Sequence, residues 1–157
     1  MAQSVYIETT VYSFYHDERS GSAWRREITR DWWRAEKRRF DVCTSAFVVD
    51  ELNAPVYPNW RKTTALARAT AQLEVVEDIA GIVSVYLEQH VMPADDAGDA
   101  AHLAIASYHG VDYLLTWNCR HIANANKFAH IREVNRRLGL LTPELVTPEQ
   151  LFEEKPK

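Results

Sequence analysis

Short runs of strand-forming residues recur along this chain, and each is followed by a longer stretch with helical spacing. The runs are Val5–Ile7, Asp41–Thr44, Leu73–Val76, Tyr113–Thr116 and Leu145–Thr147. Between them the spacing predicts helices over Thr9–Asp17, Trp24–Arg39, Ser45–Leu52, Arg61–Gln72, Ile79–His90, Asp96–Tyr108 and His121–Leu138, the last capped by Gly139. Thr147-Pro148-Glu149-Gln150 carries the N-cap, the first-turn proline and the capping-box residue of a terminal helix. Strands alternating with helices predict a parallel sheet covered on both faces. The expected fold is therefore α/β, a three-layer α/β/α sandwich with a parallel sheet of about five strands. At 157 residues the chain is expected to form a single domain, 1–157, with a core that needs no staples.

Composition excludes several classes. Two cysteines, Cys43 and Cys119, are too few for a disulfide framework and lack metal-site spacing, so a reduced, cytoplasmic protein is expected. No charged-then-apolar leader opens the chain, and no apolar run approaches the roughly 20 residues of a membrane helix. The five glycines are scattered, so no glycine-rich phosphate loop follows a strand, and no serine or cysteine stands in a nucleophile elbow. A small-molecule phosphohydrolase or flavodoxin-like nucleotide binder is disfavoured on that ground.

In open parallel sheets, ligands bind beyond the carboxyl ends of the strands. Glu8 follows the first strand directly. Glu51, beside Asp50, lies on the helix after the second. Asp95, Asp96 and Asp99 open the helix before the fourth strand, and Asn118 follows that strand. These oxygen donors converge on one rim, where unneutralised carboxylates repel and a hard divalent cation relieves them. Each residue has a plainer reading. Glu8 serves equally as a helix-start charge, Glu51 as a solvated helix face, the aspartates as first-turn acids or N-caps, and Asn118 as a cap. His102, three residues after Asp99, reads as a ligand or as a satisfied helix histidine. The metal reading rests on the coincidence of positions.

Those residues sit in the stretches VYIETTVYSFY, TSAFVVDEL, GDAAHLAIASYHGVDYLLTWNCRHIANA and TPEQL. Across nearly its whole length the chain resembles the PIN-domain family, metal-dependent ribonucleases that include the toxins of VapC-type toxin–antitoxin pairs. The resemblance implies a Mg²⁺- or Mn²⁺-dependent endoribonuclease whose catalytic acids are Glu8, Glu51 and Asp99. The family's fourth acidic position falls on Asn118, with Asp96, one turn before Asp99, as the candidate for the missing charge. Thr9 and Thr116 would support the pocket. The chain departs from the pattern in having Glu8 where many members have Asp, a neutral Asn118, and His121 where some relatives carry Asp. Asn118 keeps an alternative open: a catalytically weakened PIN-like module that binds RNA or a protein partner. The resemblance also implies an antitoxin partner and a homodimer.

Charge distribution adds a second feature. The net charge is −4, yet Trp24–Phe40 carries seven Lys/Arg against three Asp/Glu, so this stretch is +4 and the remainder −8. Three of the five tryptophans lie there too. Arg25, Arg26, Arg30, Arg34 and Arg38 are candidate contacts for RNA phosphates or for a partner, with Trp32 or Trp33 stacking on a base. The plainer reading is an amphipathic surface helix with Ile28 and Trp32 on its buried face. Asn59-Trp60-Arg61-Lys62 is a smaller candidate for phosphate contact.

Overall fold

The computed structural model describes residues 2–56 and 58–153. Within them lie β1 (Ser4–Ile7), β2 (Asp41–Ser45), β3 (Ala71–Leu73), β4 (Tyr113–Leu115) and β5 (Glu144–Val146). They form one sheet in the order β3-β2-β1-β4-β5, and every neighbouring pair is parallel. The helices are α1 (Thr9–Tyr15), α2 (Ala23–Ala35), α3 (Ala46–Leu52), α4 (Trp60–Arg68), α5 (Asp78–Glu88), α6 (Ala97–Tyr108) and α7 (Ala125–Arg137). The result is the three-layer α/β/α sandwich that the alternation predicts. No helix of the described residues is long and apolar enough to cross a membrane.

β1 is the central strand, and Val5, Tyr6 and Ile7 are fully buried, as expected where helices cover both faces of a parallel strand. From β1 the sheet grows through β2 on one side and β4 on the other, so the carboxyl end of β1 is its switch point. Helix α6 is buried nearly all round, with Ala100, Leu103, Ala104, Ile105 and Ala106 at 0% exposure. Such a helix has no solvent face to display and is held by the core itself. It carries two polar side chains through that core, His102 and Ser107, and the site below is built around the first.

Several ends differ from expectation for definite reasons. β3 covers Ala71–Leu73, not Leu73–Val76, because β2 ends at Ser45, the partner of Leu73, and later residues have nothing to pair with. α2 stops at Ala35; a 3-10 turn over Lys37–Arg39 then folds Phe40 back to stack on Trp32 with ring centroids 6.0 Å apart. α7 starts at Ala125, not His121, because residues 121–124 are held in a turn under Asn118, whose carbonyl accepts from the Ile122 and Ala123 amides. The terminal helix is a single 3-10 turn, Pro148–Gln150. Its capping contact is present, Thr147 N donating to Gln150 Oε1 at 3.0 Å. Beyond it, Leu151 turns inward to accept from Trp32 Nε1. Gly139 closes α7 at φ 74°, with Leu140 N donating to the Asn135 carbonyl and Gly139 N to that of Arg136, the left-handed ending that glycine adopts without strain.

Cys43 is buried on β2 and Cys119 is exposed in the turn after β4. Burial pushes the Cys43 thiol up to about 12.

Candidate metal centre

The chain leaves β1 in a way that fixes Glu8. Its amide donates to the Leu115 carbonyl at 3.0 Å, extending the β1–β4 pairing by one residue. Glu8 is then the N-cap of α1, and its Oε2 accepts from the Thr10 amide at 3.1 Å. Oε1 accepts from the hydroxyls of Thr10 and Thr116, each at 2.5 Å. The carboxylate is only 3% exposed. The helix-start role and the pocket role thus belong to one side chain, which the threonines on either side of the crevice hold in place.

Glu51 comes from α3 and reaches toward α6. Its Oε1 lies 2.6 Å from His102 Nε2 and accepts from Thr9 Oγ1 at 2.5 Å. His102 is 1% exposed. On its other side Nδ1 is 3.0 Å from Tyr6 Oη, which is 2.8 Å from Ser45 Oγ. Glu8 Oε2 stands 4.0 Å from His102 Nε2, and the Phe47 ring lies edge-on to the imidazole at 5.2 Å. The approach of α3 to α6 depends on Gly98: a Cβ there would lie 3.3 Å from Glu51 Oε2.

On the solvent side of this network, Asp96, Asp99 and His121 bring one ligand atom each to within 4.8 Å of one another. Asp96 and Asp99 come from the start of α6, and His121 from the turn after β4. His121 Nε2 is 2.9 Å from Asp96 Oδ2. All three are half-buried. Two carboxylates and an imidazole at this spacing fit a divalent cation with open positions for solvent or substrate. Asn118 stands in the turn that carries His121. Its Oδ1 accepts from the His121 amide at 3.0 Å, and its carboxamide favours the ionised Asp99 carboxylate.

The charges reinforce one another. His102 is buried, which opposes protonation, but the hydrogen bond to Glu51 and the charges of Glu8, Glu51 and Asp99 outweigh burial and hold the imidazole above its ordinary value. Nε2 faces Glu51 and Nδ1 faces Tyr6. Burial also opposes ionisation of Glu51, and the His102 and Thr9 bonds reverse that, leaving its carboxyl below the ordinary range. Asp99 moves the other way: burial, then the charge of Glu8, raise it, and the Asn118 bond offsets them only in part. Between Glu51 and Asp99, Asp99 is the one left short of positive charge. Lys127, on the first turn of α7, is depressed by partial burial and supported by the charges of Asp99 and Asp96.

Glu8, Glu51, Asp99 and Asp96 therefore meet at the carboxyl rim in two connected halves. Glu8 and Glu51 face His102, with Thr116 and Thr9 as their hydroxyl donors. Asp99 and Asp96 face His121. Sequence reasoning missed His121 and Lys127 as members of the rim and left His102 undecided. The spacing Asp99-x-x-His102 put the two on one helix face, whereas nothing local ties His121 to Asp96.

The basic segment divides as well. Arg26 donates to the Asp17 carbonyl and Arg30 to that of Tyr15, so both brace the α1–α2 junction. Arg34 pairs with Asp31. Arg34 and Arg38 stand toward the end of α2 that leads into the start of β2, at the edge of the sheet opposite the acidic rim. Arg25 is at the rim end. Trp32 is fully buried, and Trp33 is half-buried with its ring in T-shaped contact with Tyr12 and Tyr15 and Lys37 Nζ 5.0 Å from its centre.

No family model matches the chain, and no curated protein matches it.

Proposed function

We propose that this chain is a divalent-metal-dependent endoribonuclease of the PIN type, hydrolysing RNA phosphodiester bonds. The observation that carries the reading is the meeting of Asp96, Asp99 and His121 at the switch point of a parallel sheet, against a buried second tier of acids. Two carboxylates suit Mg²⁺ or Mn²⁺, and the imidazole tips the choice toward the transition ion. When bound, the ion supplies Lewis acidity toward the phosphodiester and toward water. Asp96, Asp99 and His121 hold it. Asn118 and the His121 backbone orient two of those ligands. Glu8, Glu51 and His102 form the rigid inner wall, and Lys127 offers positive charge to an approaching phosphate. A toxin role, with an antitoxin protein as inhibitor and a homodimer as working form, extends the same proposal.

A second reading has an observation of its own. The Glu8 carboxylate already accepts three protein donors, and Glu51 is already engaged by His102 and Thr9. A module that binds RNA or a protein without cleaving it needs no more. Incubating purified protein with mixed RNA separates the two. Under the first reading, fragments form with Mn²⁺ or Mg²⁺ and vanish with EDTA or in Asp99→Asn. A folded wild-type protein that leaves RNA intact in every metal is the binding module.

A further inference from the structure

Most of the basic segment is spent on the fold, but its first two residues, Trp24 and Arg25, are not. Trp24 is 56% exposed, the most solvent-reached aromatic residue among the large exposed side chains. Its indole lies against that of Trp117, with ring centroids 5.8 Å apart. Trp117 is buried and fixed at both ends: Nε1 donates to Thr29 Oγ1 at 2.8 Å, and the amide donates to Thr10 Oγ1 at 2.9 Å. That same Thr10 hydroxyl donates to Glu8. Two hydrogen bonds therefore connect the base of the tryptophan pair to the inner acid of the metal centre.

Arg25 completes the group. Its Cζ lies 5.6 Å from the Phe14 ring centre and 5.7 Å from those of Trp24 and Trp117. Three rings hold the guanidinium in place without consuming a single N–H, and it makes no ion pair with any described carboxylate. Arg26, Arg30 and Arg34 each spend an N–H within the fold, on the Asp17 carbonyl, the Tyr15 carbonyl and the Asp31 carboxylate. A guanidinium pre-positioned by aromatic faces, with its fork of donors free, is suited to a phosphate. An exposed indole beside it is suited to the face of a base. A tryptophan needed only for the core is buried, as Trp32 is.

We infer that Trp24 and Arg25 form a single-stranded RNA contact at the metal centre, Trp24 stacking on a base and Arg25 binding the adjoining phosphate. The inference rests on the nuclease reading for the location of the scissile bond, and its chemistry is that of one nucleotide next to that bond. Stacking is indifferent to base identity, so this contact positions the strand and selects for single-stranded over paired RNA.

The test is binding without cleavage. Labelled single-stranded RNA of about ten nucleotides is titrated in EDTA against wild type, Trp24→Ala, Trp24→Phe and Arg25→Ala, with an abasic strand of equal charge alongside. Far-UV circular dichroism and melting confirm that each variant is folded. The expected result is quenching of tryptophan fluorescence in wild type, affinity weakened roughly 5- to 150-fold in Trp24→Ala, and a smaller loss in Trp24→Phe. The abasic strand should bind wild type and Trp24→Ala alike. Arg25→Ala should lower the salt dependence by about one phosphate contact. Equal affinity of wild type and Trp24→Ala for the ordinary strand overturns the inference. So does a wild type that binds no RNA, or a Trp24→Ala whose only change is in self-association, which would make the surface a protein contact. If RNA is still cleaved with Mn²⁺ in any of those cases, the nuclease reading survives and only this contact falls.

Discussion

His102 is a fully buried histidine that the surrounding carboxylates raise above its ordinary value. Its removal leaves Glu8, Glu51 and Asp99 facing each other with no cation between them, a change of the class that costs about 3–5 kcal/mol when one partner of a buried pair is taken away. The sign of the pH dependence follows from the shifts. His102 is raised above its ordinary 6.5, so its contribution is complete below that value and is lost as pH rises through the folded value. Glu51 is lowered below its ordinary 4.5, so its contribution is complete above that value and is lost as pH falls through the folded one. The pair should therefore stabilise the metal-free protein most between pH 4.5 and 6.5. Urea unfolding of wild type and His102→Gln across pH 4 to 9 checks this: the gap between them should peak in that window and shrink toward alkaline pH. A gap that is flat, or that widens above neutrality, means that His102 is neutral and the network is held by hydrogen bonds alone.

Elements were legible in the sequence to the extent that their information was local. β1, β2 and β4 are short apolar runs with an acid, a serine or a threonine where they end, and the structure keeps them within a residue of the expected bounds. The ending of α7 was equally plain, because glycine after a basic last turn has few other uses. Gly139→Ala places a Cβ in a left-handed conformation at φ 74° and should cost about 1 kcal/mol. Chemical denaturation would show it as a lower midpoint with an unchanged slope. Illegible ends were those set by a distant partner. β3 is cut to length by the end of β2, and the start of α7 by the turn beneath Asn118. The same distinction separates the site residues. Glu8, Glu51, Asp96 and Asp99 stand out because each is an acid at a predicted strand or helix end. His121 lies 25 residues beyond Asp96, and only the packing of the post-β4 turn against the start of α6 makes them neighbours.

For the whole molecule, the rim is a place where folding has stored repulsion. Asp99 is raised by burial and by Glu8, so its ionisation works against the fold, and a cation bound between it, Asp96 and His121 would relieve that strain. Any ion that binds only the folded state stabilises it by about 2.7 kcal/mol at a hundred times its dissociation constant. For a chain of this size that raises the melting temperature by roughly 5–11 °C. Thermal melts with increasing Mn²⁺ should show such a rise in wild type and little in His121→Ala or Asp96→Asn. An equal rise in all three proteins would mean that the ion binds elsewhere.

The two cysteines acquire a use at this scale. Cys43 is buried within the sheet on β2, whereas Cys119 stands in solvent one residue past Asn118, within the turn that carries His121. A native sample therefore offers a single addressable thiol per chain, already beside the rim and needing no engineered substitution. A nitroxide or fluorophore placed there becomes a built-in gauge of paramagnetic Mn²⁺ occupancy, read without waiting for a bond to break.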